Sequence, residues 1–305
     1  MADDVVVIIL TFNSVGVIER TIAAARQVSG AILCVDSDST DGTIEALQRL
    51  NCEVRTRPFK HYADQRNWAI EALGNRYAWQ LHLDADEVLD AEAITAINGA
   101  LREPREFRGF LLRRRTYFLG RALRYGGTSS WHMRLFKSGS GACEDRLYDQ
   151  HFICSGATAK LGGWMHDLNA SSLGEWTTRH TRWSELEVRE LLRPAHSVGR
   201  LEGRLGGDPR ERRRAYKGAY YKVPRYLRAW LLFGFRYVAQ LGFLDGRAGF
   251  LYAFFQVLWF RMLVDAKLAE ALAAEEADAR AGATPERPFA VANGSHNAPA
   301  DEVEL

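Results

Sequence analysis

Near its start the chain contains Val5-Val-Val-Ile-Ile-Leu10, six consecutive aliphatic residues with no polar interruption. A strand of this composition is typical of a parallel sheet that is covered on both faces. The next stretch, from Val15 to Val28, has the pattern of a helix, and Ala31-Ile-Leu-Cys-Val35 is a second buried strand. The order strand, helix, strand predicts a βαβ unit, the building block of a parallel sheet.

This alternation continues through the first hundred residues. The predicted elements are a helix over 43–50, a strand over 53–56, a helix over 64–73, a strand over 77–83 and a helix over 91–101. Beyond about Phe107 the pattern changes to strands without intervening helices, followed by a charged helix over 175–192. The sequence therefore predicts the α/β class, with a Rossmann-like, mostly parallel sheet that has helices on both faces.

Composition excludes several classes of protein. The 305 residues include 40 Lys+Arg and 38 Asp+Glu, and a net charge of +2 gives no reason to expect a nucleic-acid partner. The four cysteines form no CxxC pair, so neither a disulfide framework nor a zinc site is predicted. The acidic start lacks the features of a signal peptide, and no uncharged apolar run reaches about eighteen residues. We therefore expect cytoplasmic catalysis and no simple spanning helix.

Two aspartates follow the buried strand over 77–83, in Leu81-His-Leu-Asp-Ala-Asp-Glu87. In open α/β sheets ligands gather at the carboxyl ends of strands, and alternation places Asp84 and Asp86 on one side. Hard carboxylates suit Mg²⁺ or Mn²⁺, which keeps open positions for phosphate oxygens. The alternative is an acidic loop that caps the helix from Ala91, although Asp90 can already serve as that cap.

A polar turn, Asp36-Ser-Asp-Ser-Thr-Asp-Gly-Thr43, joins the second strand to a helix. Gly42 and the small hydroxyls allow close backbone approach, and the helix start favours anions. An ordinary capped turn explains the same residues. Arg66, near the start of another helix, is either a phosphate or base contact or a surface arginine.

Four motifs resemble those of family 2 glycosyltransferases in order and spacing. They are Val7-Ile-Ile-Leu-Thr-Phe-Asn13, Val35-Asp-Ser-Asp-Ser-Thr-Asp-Gly-Thr43, Gln65-Arg-Asn67 and Leu83-Asp-Ala-Asp-Glu87. The resemblance implies a GT-A fold, a nucleotide-diphospho-sugar donor, first of all a UDP-sugar, and inversion at the anomeric carbon. Ser37 stands where most members have a second acid. In this departure the chain resembles lipopolysaccharide-core β-glucosyltransferases. The segment Leu241-Gly-Phe-Leu-Asp-Gly246 also resembles the C-terminal parts of those enzymes.

The resemblance also implies roles for individual residues. Thr11 and Asn13 would lie near the base and ribose, and Asp36 and Ser37 by the uracil pocket. Arg66 would contact the nucleotide. Asp84 and Asp86 match the metal-binding motif, with Asp86 the expected direct ligand and Asp84 also near the nucleotide-sugar.

An inverting displacement needs a base that takes the proton from the acceptor hydroxyl. Family members have an Asp, often after Glu, about sixty residues beyond the metal motif, and Glu144-Asp145-Arg146 stands there. We assign Asp145 as the base and Glu144 as the second choice; a salt-bridged surface cluster is the alternative. Thr178 and Arg179 replace the expected start of the processive synthases' signature, so transfer of a single sugar is favoured over polymer synthesis.

The C-terminal region has a different character, and three domains are predicted: a catalytic domain over 1–205, an amphipathic helical region over 206–274 and a disordered tail over 275–305. Basic residues are frequent from Arg210 to Arg228, and aromatic-rich apolar segments follow. Such helices suit an anionic membrane interface. The alternatives are a lid packed on the catalytic domain and, less favoured, a nucleic-acid site.

The sequence thus predicts an inverting hexosyltransferase, peripheral on the inner face of the cytoplasmic membrane. It would transfer a single sugar, such as glucose, to a hydroxyl of a lipid-linked cell-envelope glycan, a lipopolysaccharide-core or exopolysaccharide precursor. One alternative is transfer to a polyprenyl phosphate. The other is a non-catalytic nucleotide-sugar-binding membrane scaffold.

Overall fold

The computed structural model describes residues 4–168, 171–193 and 199–281. The first third of the chain contains, in order, β1 (Val5–Thr11), α1 (Ile18–Ala25), β2 (Ile32–Asp36), α2 (Thr43–Arg49), β3 (Glu53–Thr56), α3 (Tyr62–Leu73), β4 (Trp79–Asp84), β5 (Glu87–Leu89) and α4 (Ala91–Arg102). Except for the short β5, each of these elements overlaps a predicted one.

The middle of the chain is richer in short strands. It contains β6 (Gly109–Phe118), β7 (Arg121–Ala122), β8 (Ser130–Lys137), β9 (Gly141–Cys143), β10 (Phe152–Cys154), β11 (Thr158–Lys160), β12 (Met165–Asp167) and then α5 (Leu173–Leu192). The C-terminal helices are α6 (Pro209–Lys222), α7 (Leu227–Gly234), α8 (Gly246–Tyr252) and α9 (Phe260–Ala281), with π-helical turns at Phe235–Ala239 and Ala253–Trp259 and a 3-10 turn at Gly242–Asp245.

One large mixed sheet organises the molecule. Its strand order is β3-β2-β1-β4-β8-β6-β12-β5, and β7 and β11 also pair with β6. The first four strands are parallel, as expected of βαβ units, whereas β8 runs antiparallel to both β4 and β6. β9 and β10 form a separate two-stranded sheet. The predicted α/β class with a mostly parallel, Rossmann-like sheet is confirmed.

Both faces of β1 are buried, as its composition predicts. Val5, Val7 and Ile9 pack with apolar residues of α1, α2 and α4 on one face of the sheet. Val6, Ile8 and Leu10 pack with Ala69 and Leu73 of α3 on the other. Alternation along one strand therefore contributes to two cores, and helices cover both faces of the sheet.

The C-terminal helices pack on the α/β part through two apolar clusters. In one, Phe118 and Leu123 contact Trp176 of α5 and Ala248 of α8. In the other, Val188 of α5 packs with Phe260, Val264 and Ala271 of α9. The predicted boundary near residue 205 is thus crossed by extensive packing.

Half of the basic cluster between Arg210 and Arg228 points inward. Four of its eight cationic side chains form ion pairs within the protein: Arg210 with Asp208, Arg214 with Glu144, Lys217 with Glu187 and Arg228 with Asp265. The remaining four are exposed: Arg212, Arg213, Lys222 and Arg225. The four exposed cations are therefore the part of this basic cluster that faces outward.

A helical stretch, Gly242–Arg280, is long and apolar enough to cross a membrane by length and composition, and it is the one such stretch in the described ranges. It was not predicted, because Asp245, Arg247 and Arg261 interrupt its apolar runs. Of its apolar window, 44% is buried inside the protein, and a core helix meets the same criterion. The predicted tail over 275–305 begins within α9, which continues to Ala281, and its remainder lies outside the described residues.

Candidate active site

The polar residues predicted to bind a nucleotide lie at neighbouring strand ends. Thr11 at the end of β1 is in register with Asp36 at the end of β2, and Leu10 is in register with Asp84 at the end of β4. Thr11, Asp36 and Asp84 therefore lie at the carboxyl edge of the parallel strands, the usual ligand position in such sheets.

Asp36 is buried and holds the turn that follows β2. Its carboxylate accepts a hydrogen bond from the Thr11 hydroxyl at 2.8 Å and two from Ser39, from the backbone N–H at 2.8 Å and the hydroxyl at 2.7 Å. Asn13, in a left-handed conformation, donates its backbone N–H to the Ser39 hydroxyl at 2.9 Å and accepts from the Thr40 N–H at 2.9 Å. Thr11, Asn13 and Asp36 thus form one connected wall.

Three consecutive residues of α3 join the predicted subsites. The Gln65 side-chain amide donates to the Ser37 hydroxyl at 2.9 Å. The Arg66 guanidinium donates to the Leu83 carbonyl at 3.1 Å and forms an ion pair with Asp84. The Asn67 amide bonds in both directions with the backbone of Cys143, at 2.9 and 2.8 Å, two residues before Asp145. One turn of helix therefore links the nucleotide turn, the end of β4 and the loop with the predicted base.

Arg134 also holds the end of β4. The sequence did not lead us to predict a role for this residue. In the pairing of β8 with β6, Phe110 is opposite Leu135 and Leu111 opposite Met133, so Arg134 is the extra residue of a bulge. Its guanidinium binds Asp84 at 2.9 Å and also Glu87, which is buried. An arginine inside the apolar run Met133-Arg-Leu-Phe136 was the available signal, because a buried arginine needs a carboxylate partner.

Asp84 and Asp86 have different environments. Both carboxylate oxygens of Asp84 bond to arginines, one to Arg66 and the other to Arg134. Burial alone would raise the pKa of Asp84, but the charges of Arg134 and Arg66 hold that pKa far below its usual range. No side chain in the described part of the chain bonds to the Asp86 carboxylate. Burial, followed by the charges of Asp167 and Asp84, raises the pKa of Asp86 to about 8. Asp86 is therefore a carboxylate short of positive charge.

Asp84 and Asp86 fit a divalent cation that is bound by few protein ligands. The described ranges contain no group of three or more His, Cys, Asp or Glu side chains arranged to hold a metal ion. An all-protein cage is thus not formed, but Mg²⁺ is commonly bound by one or two carboxylates together with substrate phosphates. Asp86 has the free oxygens that such a site needs, and Asp84 is occupied by its two arginines.

The two candidate bases differ sharply. Glu144 has no exposed surface, and its carboxylate accepts from the N–H groups of Leu201 and His151 at 2.7 and 2.8 Å and from Arg214 at 3.0 Å. These bonds make it a structural anchor. The Asp145 side chain is 73% exposed and has an ion pair with Arg193 at 3.5 Å. Of the two carboxylates, that of Asp145 is accessible and that of Glu144 is buried.

Comparisons with known proteins show which family the chain belongs to. The family model described as Glycosyl transferase family 2 matches residues 6–159. An uncharacterized glycosyltransferase of Rickettsia bellii is 34% identical over 84 residues, 28% of each chain, so the chain matches well under half the length of that relative. The lipopolysaccharide core biosynthesis glycosyltransferase LpsC of Rhizobium meliloti is 24% identical over 236 residues, 73% of this chain and 79% of LpsC.

Among solved structures, TarS of S. aureus is similar with a TM-score of 0.40 and 14% identity, over 91% of this chain and 52% of TarS. The family match spans just over half of the 305 residues and includes the ends of β1, β2 and β4, the α3 tripeptide and the loop with Asp145. The resemblance drawn from the four motifs is confirmed: the chain belongs to glycosyl transferase family 2.

Proposed function

We propose that this enzyme is an inverting hexosyltransferase. It moves one sugar, such as glucose, from a UDP-sugar to a hydroxyl of a lipid-linked cell-envelope glycan, in the lipopolysaccharide core or an exopolysaccharide precursor. The observation that carries the proposal is the α3 tripeptide, because Gln65, Arg66 and Asn67 bond to the nucleotide turn, to Asp84 and to the strand before Asp145. These bonds support a common frame for the proposed nucleotide turn, metal edge and base.

In this mechanism each residue has a distinct task. Thr11, Asn13, Asp36 and Ser37 form the wall against which the base and ribose lie. Asp86, with Asp84 beside it, would hold Mg²⁺ or Mn²⁺, which when bound supplies positive charge for the departing diphosphate. Asp145 accepts the proton of the acceptor hydroxyl as that oxygen attacks the anomeric carbon, so no covalent enzyme intermediate is needed.

The direct test compares two variants of the full chain, Asp145→Asn and Asp86→Asn. With Mn²⁺, UDP-sugars and membrane lipid extract, we expect Asp145→Asn to lower transfer by at least about 10²-fold while UDP-sugar binding is retained. Asp86→Asn should weaken metal-dependent donor binding as well. Binding is followed by calorimetry and transfer by labelled sugar.

Other outcomes point to other functions. A polyprenyl phosphate has no hydroxyl to deprotonate, so full turnover by Asp145→Asn would favour that acceptor and contradict the assigned base. Donor binding without turnover by the unaltered protein, with every UDP- and GDP-sugar, would favour the non-catalytic scaffold.

We also propose that the enzyme works at the inner face of the cytoplasmic membrane, as a peripheral protein. Large apolar side chains are exposed along one segment of the C-terminal region: Leu227, Trp230, Leu231, Phe235, Val238, Leu241, Phe243, Leu244, Phe250 and Phe254. We call this set the apolar surface. Exposed Lys222 and Arg225 precede it in sequence and exposed Arg247 lies within it, which suits a bilayer with anionic lipids.

The membrane proposal has a matched test in the double variant Trp230→Ser/Leu231→Ser. Both side chains are 56% exposed, so their loss should leave the fold intact while vesicle binding falls by about tenfold or more. Leu205→Ser, at a 67% exposed position outside the apolar surface, is the control. Sedimentation with vesicles that contain anionic phospholipid is the measurement, and equal binding of all three proteins would contradict the proposal.

A further inference from the structure

A second cavity lies away from the strand ends, between α5 and α6. Its volume is about 480 Å³, within the range of small-ligand sites. Residues of α5 and α6 form its sides, and the loop after β9 contributes Arg146 and Tyr148. We call it the α5–α6 cleft.

Positive charge is in excess in this cleft. Its charged lining residues are Arg146, Arg214, Lys217 and Lys222 against Glu187 and Glu190. Glu187 also forms an ion pair with Arg261 at 2.8 Å, and Glu190 with Arg200 at 3.1 Å. Two of the lining cations likewise pair with acids behind the lining, Arg214 with Glu144 at 3.0 Å and Lys217 with Asp149 at 3.0 Å, while Lys222 is exposed. Burial and the neighbouring Arg214 guanidinium lower the pKa of Arg146. The lining is therefore suited to an anion.

Three arginine N–H groups of the lining make no hydrogen bond within the described residues. The Arg214 side chain is 10% exposed, and its Nη2 group bonds to Glu144 and to the Asp149 carbonyl, each at 3.0 Å. Its Nε and Nη1 groups, and the Nε of Arg146, make no hydrogen bond among the described residues. The Nη1 group has an ion pair with Asp149 at 3.6 Å and the Arg146 Nε one with Glu190 at 3.4 Å, whereas the Arg214 Nε has neither kind of partner. Buried N–H groups without acceptors are unfavourable. A bound oxyanion would supply those acceptors, and the planar guanidinium matches a phosphate group.

The position of the cleft relates it to the acceptor. Arg146 directly follows Asp145, the proposed base. On the other side Tyr221 lines the cleft, and the guanidinium of Arg228, in the first turn of α7, stacks on the Tyr221 ring at 4.6 Å. The apolar surface begins at that turn, with Leu227. The lining thus includes the residue next to the proposed base and a tyrosine in contact with the turn where the apolar surface begins.

We propose that the α5–α6 cleft binds a phosphate group carried by the acceptor, so that the acceptor is a phosphorylated, lipid-borne glycan rather than a neutral one. This inference rests on the proposed function, because it assigns the same acceptor an anchoring group. The residues that bind the phosphate are Arg146, Arg214 and Lys217, with Lys222 at the edge. The carboxylates of Glu187 and Glu190 in the lining disfavour a nucleic-acid strand.

The test uses Arg146→Gln/Lys222→Gln in the full chain. Both replacements keep polar side chains and leave the ion pair of Arg214 with buried Glu144 in place. The control is Arg212→Gln/Arg213→Gln, which removes the same charge from exposed positions of α6 outside the lining. Inorganic phosphate and diphosphate are the probes, and calorimetry measures their binding without any turnover.

We expect the cleft variant to bind diphosphate at least about tenfold more weakly than the unaltered protein and the control. In transfer assays its KM for lipid extract should rise about tenfold while its KM for the UDP-sugar is unchanged. Phosphatase treatment of the extract should raise the KM of the unaltered protein and abolish the difference between variant and control.

Two results would overturn the inference. Equal diphosphate binding by all three proteins would exclude an anion site. Unchanged use of the phosphatase-treated extract would show that the cleft takes a free anion and not a group on the acceptor. Failure of the unaltered protein to transfer any sugar would instead refute the proposed function, and the binding measurement remains separate from that result.

Discussion

Arg134 shows how one side chain can decide the state of a site. Because it is the extra residue of a bulge, its side chain leaves the alternation of β8 and reaches Asp84 and Glu87. With Arg66 it neutralises Asp84, so Asp86 alone is left without a side-chain partner. The asymmetry between two aspartates separated by a single alanine therefore originates in a neighbouring strand.

Replacement of Arg134 should be strongly destabilising. Arg134→Met leaves the buried Glu87 carboxylate without its cation, and removal of one partner of a buried ion pair costs about 3–5 kcal/mol. Arg55→Met, which breaks the partly exposed ion pair with Glu53, should cost less than about 1 kcal/mol. Urea unfolding measures both, and equal effects would show that Arg134 does not hold the strand end.

Sequence reasoning identified Asp84, Asp86, Arg66 and the turn after Asp36 because each belongs to a local motif. It missed Arg134 because a bulge is set by the pairing of β8 with β6, which are distant in sequence. Asn67 was named only as part of a motif. Its bond to Cys143 could not be predicted, because the two residues are 76 positions apart in the sequence.

At the scale of elements, α3 acts as a frame. Its N-terminal half places polar side chains against three different loops or strand ends, while Ala69 and Leu73 on later turns pack under the sheet. The helix therefore fixes the positions of the nucleotide turn, the end of β4 and the loop with Asp145 relative to one another. Removal of one of its side-chain bonds should affect the subsite at that bond more than the others.

Asn67→Ala should separate transfer from donor binding. The change removes two hydrogen bonds to the Cys143 backbone and should cost about 1–3 kcal/mol of stability. Because Asn67 is a positioning residue for the loop with Asp145, kcat for transfer should fall while KM for the UDP-sugar stays near its original value. Asn67→Asp keeps one acceptor for the Cys143 N–H and should recover part of the rate. Equal loss of kcat and donor affinity would contradict this role.

Long elements were easier to predict than short ones. The residues of β1, β2 and β4 and of the helices between them carry the apolar pattern of their own secondary structure. β9, β11 and β12 have three residues each, and β12 exists because it is hydrogen-bonded between β5 and β6. Such strands are products of tertiary pairing and leave little pattern in the sequence.

At the scale of the whole molecule, buried histidines make stability depend on pH. Burial lowers the pKa of His82, His132, His151 and His180, to about 3 for His151 and to about 4 for His180. Between about pH 6.5 and 4 the unfolded chain binds a proton at His180 that the folded chain does not. Stability should therefore rise with pH in this window and fall on acidification.

His180→Gln isolates one part of that dependence. At pH 5 the histidine should lower the free energy of unfolding by about 2 kcal/mol relative to pH 7, and the variant should lack this contribution. His180 bonds to the Trp176 carbonyl at 2.7 Å, so the variant is compared with itself across pH rather than with the parent at one pH. Urea unfolding at pH 7, 6 and 5 gives the two slopes, and parallel slopes would show that His180 titrates normally in the folded state.

The inward-pointing arginines of α6 have a consequence for protein engineering. Arg210 donates to the Phe152 carbonyl, and Arg214 neutralises Glu144, so the C-terminal helices supply charges that the neighbouring strands require. A chimera that grafts the helices of one relative onto the sheet of another would bring together acids and bases that did not evolve as partners. Donor preference and membrane affinity are thus expected to be exchangeable only when the grafted piece carries the Glu144 loop along with α6.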